Sequence, residues 1–180
     1  MKKLFIIAAL ALPLMWTACG PKEVEQTEDV IPKGMRAVSI KPMGMPVKIN
    51  TPDSSTGVLD TMLTPNGAQV RVGNNFDLLI NLGGKEETDL AAIKSLIEAT
   101  DAGMSTFTVN DATTLVWETK FGDMSMFHFY TLVKVGNDTY YVRDNSFNPD
   151  NMFKKEDIDR MLEASKSLRS TEPAAAAPEA

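Results

Sequence analysis

The chain of 180 residues has one cysteine and one histidine. A single cysteine leaves no intramolecular disulfide to staple the fold. The pair cannot supply the four Cys or His ligands of a structural zinc site. Every histidine-dependent catalytic scheme must rest on His128 alone, and nothing around the serines resembles a nucleophile elbow. The longest apolar run stops short of the about 20 residues that a spanning helix needs. A glycine-rich phosphate loop is also missing, and Gly83-Gly84 reads as the end of a strand. Basic residues are the minority, 18 against 24 acidic, for a net charge of −6. Such a surface repels phosphate backbones, so nucleic acid is not an expected partner.

The amino terminus does carry a pattern. Lys2 and Lys3 precede an unbroken apolar run from Leu4 to Met15, the charged and apolar regions of an export signal. The run ends in Trp16-Thr17-Ala18-Cys19, which resembles the lipobox of bacterial lipoproteins: a small residue before a cysteine that is lipidated, with cleavage between them. Trp16 departs from the usual leucine at the third position before the cut. The resemblance implies cleavage after Ala18, a lipid anchor on Cys19, and a protein held at the bacterial cell envelope, with the outer membrane as the expected site, on its periplasmic or surface face. Several acyl chains make such attachment stable, because each buried CH₂ contributes about 0.8 kcal/mol.

Removing residues 1–18 leaves 16 basic and 24 acidic residues, a net charge of −8. Residues 19–34 then form a polar, acidic tether without periodicity, including Glu23, Glu25, Glu28 and Asp29. An acidic cluster here resembles the surface-export signal of some Gram-negative lipoproteins, and it equally fits a solvated spacer. Residues 170–180, rich in alanine and broken by Pro173 and Pro178, are expected to be a disordered tail. Between them, residues 35–169 have the size of one domain with its own core.

Within that domain, short alternating runs are separated by turn residues. Strands are expected at Ala37–Ile40 and Val47–Ile49, and a hairpin at Gln69–Val72 and Phe76–Leu82 around Gly73-Asn74-Asn75. Loops are expected at Asp53–Gly57 and Pro65–Gly67. Leu90, Ile93, Leu96 and Ile97 then mark one face of a helix capped by Thr88 or Asp89. Strands follow at Thr106–Val109, Thr114–Phe121 and Met126–Val135, the last turning at Gly136-Asn137-Asp138 into Thr139–Arg143. A final helix starts near Lys154 or Lys155 and buries Ile158, Met161, Leu162, Ser165 and Leu168. Strands, helix, strands, helix predicts an α+β domain, an antiparallel sheet with two main helices packed on it. The element order over about residues 45–169 resembles the PsbP-like fold, an α/β/α sandwich. The resemblance is carried by the two hairpins, the Leu90–Ile97 helix and the terminal Met161–Leu168 stretch. The aromatic usual after the first strand's proline is absent at Pro52-Asp53-Ser54. That family implies a binding or assembly accessory, not an enzyme.

Few constellations could carry chemistry. His128 lies in a strand pattern, where a hydrogen-bonded sheet residue is the ordinary expectation. Asp144 to Asp150 places oxygens at the odd positions of a calcium loop, but Pro149 replaces the turn glycine and Lys155 stands where a bidentate Glu is required. That stretch reads as a polar turn. The acidic pairs Glu86–Glu87 and Asp157–Asp159 suit a loop and a helix start. Met124, Met126 and His128 alternate, so an extended strand would turn all three to one face. Thioethers are soft ligands that select Cu(I). Met43 and Met45 repeat the spacing of the methionine pair, and methionine is equally a common core filler.

The sequence therefore predicts a non-enzymatic lipoprotein with no cofactor, whose partners are the membrane, through acylated Cys19, and a protein or envelope component. An exposed patch including Trp117, Tyr130 or Tyr140 is one expected contact surface. Two alternatives stay open: a Cu(I) or Ag(I) protein using Met124, Met126 and His128, and a hydrolase whose site is not located.

Overall fold

A computed structural model describes residues 31–101, 104–145 and 152–172. The expectations for the signal segment, for Ala18 and Cys19, for most of the tether, for the calcium-like turn at 146–150 and for the tail beyond Glu172 lie outside the described residues. The remainder is the α+β arrangement that the pattern predicts: two helices on antiparallel sheets.

The larger sheet has seven strands: β3 (Leu59–Thr64), β4 (Gly67–Val72), β5 (Asp77–Leu82), β9 (Asp138–Asp144), β8 (Met124–Val135), β7 (Thr114–Phe121) and β6 (Ser105–Asn110), in that spatial order. Each neighbouring pair is antiparallel. A smaller sheet sets β2 (Val47–Pro52) between β1 (Met35–Ser39) and β10 (Arg169–Ser170). Helix α1 (Leu90–Thr100) joins β5 to β6, and α2 (Lys155–Ser165) follows β9.

The period of two along each strand divides the core into two layers. On one face Val70, Leu78, Ile80, Phe129 and Val142 pack with Ile158 and Met161 of α2 and with Ile49 and Val47 of the small sheet. On the other, Leu115 and Tyr130 pack with Leu90, and Ile93, Ile97, Phe107 and Trp117 close around them. The large sheet is thus sandwiched between α1 and a layer made of α2 and the small sheet. Full burial of one such Leu, Ile or Phe side chain contributes about 1.5–3 kcal/mol.

Local chemistry fixes the helix ends. Asp89 caps α1 by accepting the Ala92 N–H at 3.1 Å. Asp101, just past its end, accepts from the Ser105 and Thr119 hydroxyls and ties that end to β6 and β7. At α2, the Asp157 carboxylate accepts the Lys154 N–H at 3.1 Å. Among the described residues no helix is long and apolar enough to cross a membrane.

The structure corrects several expectations. Leu96 is not part of the buried stripe of α1 and is 65% exposed. Six residues at about 100° each carry it about 120° away from Leu90, beyond the face that Leu90 and Ile97 share. Leu168 is buried, but α2 ends at Ser165. Ser167 then accepts the Asn50 N–H at 2.8 Å, and the chain pairs with β2 as β10. Thr171, within the stretch expected as tail, donates its N–H to the Pro46 carbonyl at 2.9 Å. The strand β3 was not expected at all.

Candidate functional site

A polar cluster gathers where β5 begins and β9 ends, beside the middle of β8. Asp144, the last residue of β9, is buried, and each carboxylate oxygen is used. Oδ1 accepts the Phe129 N–H at 2.9 Å, and Oδ2 lies 2.9 Å from His128 Nδ1. The β8–β9 ladder ends at Tyr130 and Arg143, and the next β8 amide, that of Phe129, is satisfied by this carboxylate. A carboxylate can only accept from the ring, so this contact fits a proton on Nδ1 and leaves Nε2 as the unprotonated nitrogen. Trp117, directly across the β7–β8 ladder from His128, lies against its ring with centroids 5.2 Å apart.

Asp77, the first residue of β5, stands near Asp144. Gln69 Nε2 donates to both of its oxygens at 2.9 and 2.8 Å, and Asn145 Nδ2 reaches Oδ2 at 3.4 Å. Burial pushes the Asp77 carboxyl up to about 6. The amide hydrogen bonds and the Arg71 charge oppose that rise, while the Asp144 charge adds to it.

Met124 and Met126 follow on the same strand and share the face of His128, as alternation requires, because Phe127 and Phe129 turn to the opposite core. Met124 is 55% exposed and pairs with Phe121 across the hairpin, and Met126 is half-buried opposite Thr119. Neither methionine is part of the two hydrophobic cores. Met43 and Met45 do not join them. Met45 is buried with the small sheet and Met43 packs against the same core, on the other side of the large sheet.

The aromatic patch is also corrected. Tyr130 and Tyr140 are both buried, on opposite faces of the sheet. Tyr130 donates its hydroxyl to the Glu87 carbonyl at 2.8 Å. Only Trp117 is partly open. Three of the four paired acids have structural partners as well: Glu87 accepts the Gly84 N–H, Asp157 closes the first turn of α2, and Asp159 pairs with Lys155 at 2.6 Å. Among the described residues no serine or threonine hydroxyl is hydrogen-bonded to His128.

One feature escaped the sequence reading. β3 forms one edge of the large sheet, and among the described residues nothing pairs with its outer side. It exposes apolar side chains on both faces, with Met62 at 46% and Leu63 at 66%, and Val58 just before it is more open still. Its one charged residue, Asp60, is paired to Arg71 at 2.9 Å. The opposite edge is different. β6 is interrupted by a bulge between Phe107 and Val109 and is mostly threonine, serine and asparagine. Bulges and polar side chains are how natural sheets close an edge to pairing. β3 has no bulge, and its polar Asp60, Thr61 and Thr64 alternate with exposed apolar side chains. The one local signal for it was the turn at Pro65-Asn66-Gly67, which needs a strand before it to pair with β4.

Shallow grooves flank α1. One of about 520 Å³ runs between Lys85–Glu87 and Ala92, Ile93 and Leu96, with acidic and apolar walls. No family model, curated protein or solved structure matches the chain.

Proposed function

We propose that this is a lipid-anchored protein of the bacterial envelope, without chemistry of its own, whose α+β domain receives an extended segment of a protein partner along β3. The observation that carries the reading is the open, apolar β3 edge. Its outer N–H and C=O groups, which no described strand meets, supply main-chain hydrogen bonds to an added strand, and Met62 and Leu63 offer apolar contacts on the two faces. An edge of this kind invites aggregation when left bare, so a folded protein that keeps one is best accounted for by a partner that covers it. The anchor rests on the Lys2–Cys19 pattern, which supports a domain held on a short tether at the membrane.

The test uses the full chain in its native cells, with a photo-crosslinking residue placed at Leu63 or, as the control edge, at Thr108. A discrete adduct from position 63, absent from 108 and lost when Thr61→Pro removes an outward N–H, is expected. Equal labelling from both edges, or none from 63, would end the strand-addition reading. The anchor is tested separately. Cys19→Ser should move the protein from the detergent-rich to the aqueous phase on partitioning, and an unchanged distribution would remove the lipoprotein assignment.

A further inference from the structure

We propose that Met124, Met126 and His128 form a surface site for one soft monovalent cation, Cu(I) or Ag(I), independent of the β3 edge. Three observations converge. The three side chains occupy alternate positions of β8 and therefore one face of the sheet. Their Cα atoms follow one another at about 6.7 Å, a gap that two methionines with three rotatable bonds each can close around a common ion. The methionines are also free for the task. Met45 and Met161 are buried in the core, whereas Met124 and Met126 belong to neither core and Met124 is more than half exposed.

The histidine is prepared as a ligand. Its Nδ1 is held by a buried carboxylate that is itself fixed by the Phe129 N–H, leaving Nε2 for coordination. A carboxylate on the second ring nitrogen is the usual support of a metal-bound imidazole, fixing tautomer and ring direction and raising the basicity of the coordinating nitrogen. Trp117 covers one side of that ring and restricts water there.

The donor set then selects the ion. Two thioethers and one imidazole bring no negative charge and two soft sulfurs, which suits Cu(I) or Ag(I). Zinc prefers thiolate, imidazole and carboxylate, and among the described residues no cluster of three or more His, Cys, Asp or Glu could hold it.

The experiment uses the full chain in detergent, with Cys19→Ser throughout so that the lone thiol adds no soft ligand. Cu(I) is titrated under reducing, anaerobic conditions against a chromogenic Cu(I) chelator. One equivalent should be retained by the parent, and retention should be lost in Met124→Leu/Met126→Leu, which preserves side-chain volume. Met43→Leu should retain the metal like the parent. Asp144→Asn should weaken binding about tenfold or more if the carboxylate positions the ring. Because His128 is the only histidine, its imidazole proton resonances report ligation directly, and Ag(I), free of redox chemistry, should shift them in the parent and leave them in place in the double variant. Circular dichroism confirms that each variant is folded. No retained equivalent, retention unchanged in the double variant, or His128 signals that stay put while metal binds would each overturn the site.

Discussion

Asp144 Oδ2 lies 2.9 Å from His128 Nδ1 while its other oxygen accepts the Phe129 N–H, so one buried carboxylate both finishes the β8 ladder and orients the chain's only imidazole. Removing its charge leaves one of the two N–H donors facing an amide nitrogen. Asp144→Asn is therefore expected to cost about 1–3 kcal/mol of stability. Chemical denaturation of variant and parent at one pH measures it, and equal midpoints would show that the carboxylate does not support the strand.

Asp77 makes stability fall as pH rises. Its folded carboxyl titrates near 6 against an ordinary 3.8, so between those values the folded state binds more protons than the unfolded one. The stabilisation is fully present below pH 3.8 and is lost as pH climbs through about 6. Asp77→Asn removes the charge that burial penalises and should gain on the order of 1 kcal/mol at pH 7.5, flattening the pH 4–6 slope. Unfolding curves for both proteins at pH 4.5 and 7.5 decide it. A slope that survives in the variant assigns the dependence to another group.

Much of this fold was legible because alternation and burial agree. Both long hairpins, β4–β5 and β8–β9, have one face in the main core, and their turns contain the Gly and Asn that such reversals favour. β3 was hidden because neither of its faces is deeply buried, so Leu59 and Leu63 on one side and Met62 on the other erase the contrast on which pattern reading depends. β10 has two residues and exists only because β2 is there to pair with. His128 was read correctly as a strand residue, but its partner is 16 positions away. Register could have found it: with Val135 opposite Asp138, the β8–β9 ladder brings Tyr130 to Arg143 and the next step brings Phe129 to Asp144. The rise in the Asp77 carboxyl had no local signal, because it depends on burial created by the assembled sheet and α2, where Met161 Sδ lies 3.2 Å from the Asp77 N–H.

Phe129 and Leu96 contrast core and surface. Phe129 is fully buried between the sheet and α2, so Phe129→Ala should cost about 3–5 kcal/mol through lost burial and the cavity left behind. Leu96→Ala, on the open side of α1, should fall within about 0.5 kcal/mol of the parent. Thermal or denaturant unfolding of both variants ranks them, and a large loss at Leu96 would mean that the open side of α1 is covered in the intact protein.

Gly67 connects stability to the proposed binding edge. It opens β4 after the Pro65-Asn66 turn with φ +125, a conformation that residues with a Cβ rarely adopt. A Cβ there would also come within 2.5 Å of the Ile80 carbonyl oxygen and 2.9 Å of Asn81 Cβ, so β4 could not keep its distance from β5. Gly67→Ala is expected to cost about 1–3 kcal/mol, and the loss should be local first. Among the described residues β3 pairs with β4 alone and reaches the main core through Leu59, whereas β5, β8 and β9 have partners on both sides. Amide hydrogen exchange should therefore accelerate in Leu59–Thr64 well before Phe129 or Val142 respond, and crosslinking from position 63 should fall in the same variant. Uniform acceleration across the sheet would mean that β3 and the core open as one unit. The edge would then be too firmly held to rearrange around an incoming strand, and a partner would have to accept it in the geometry it already has.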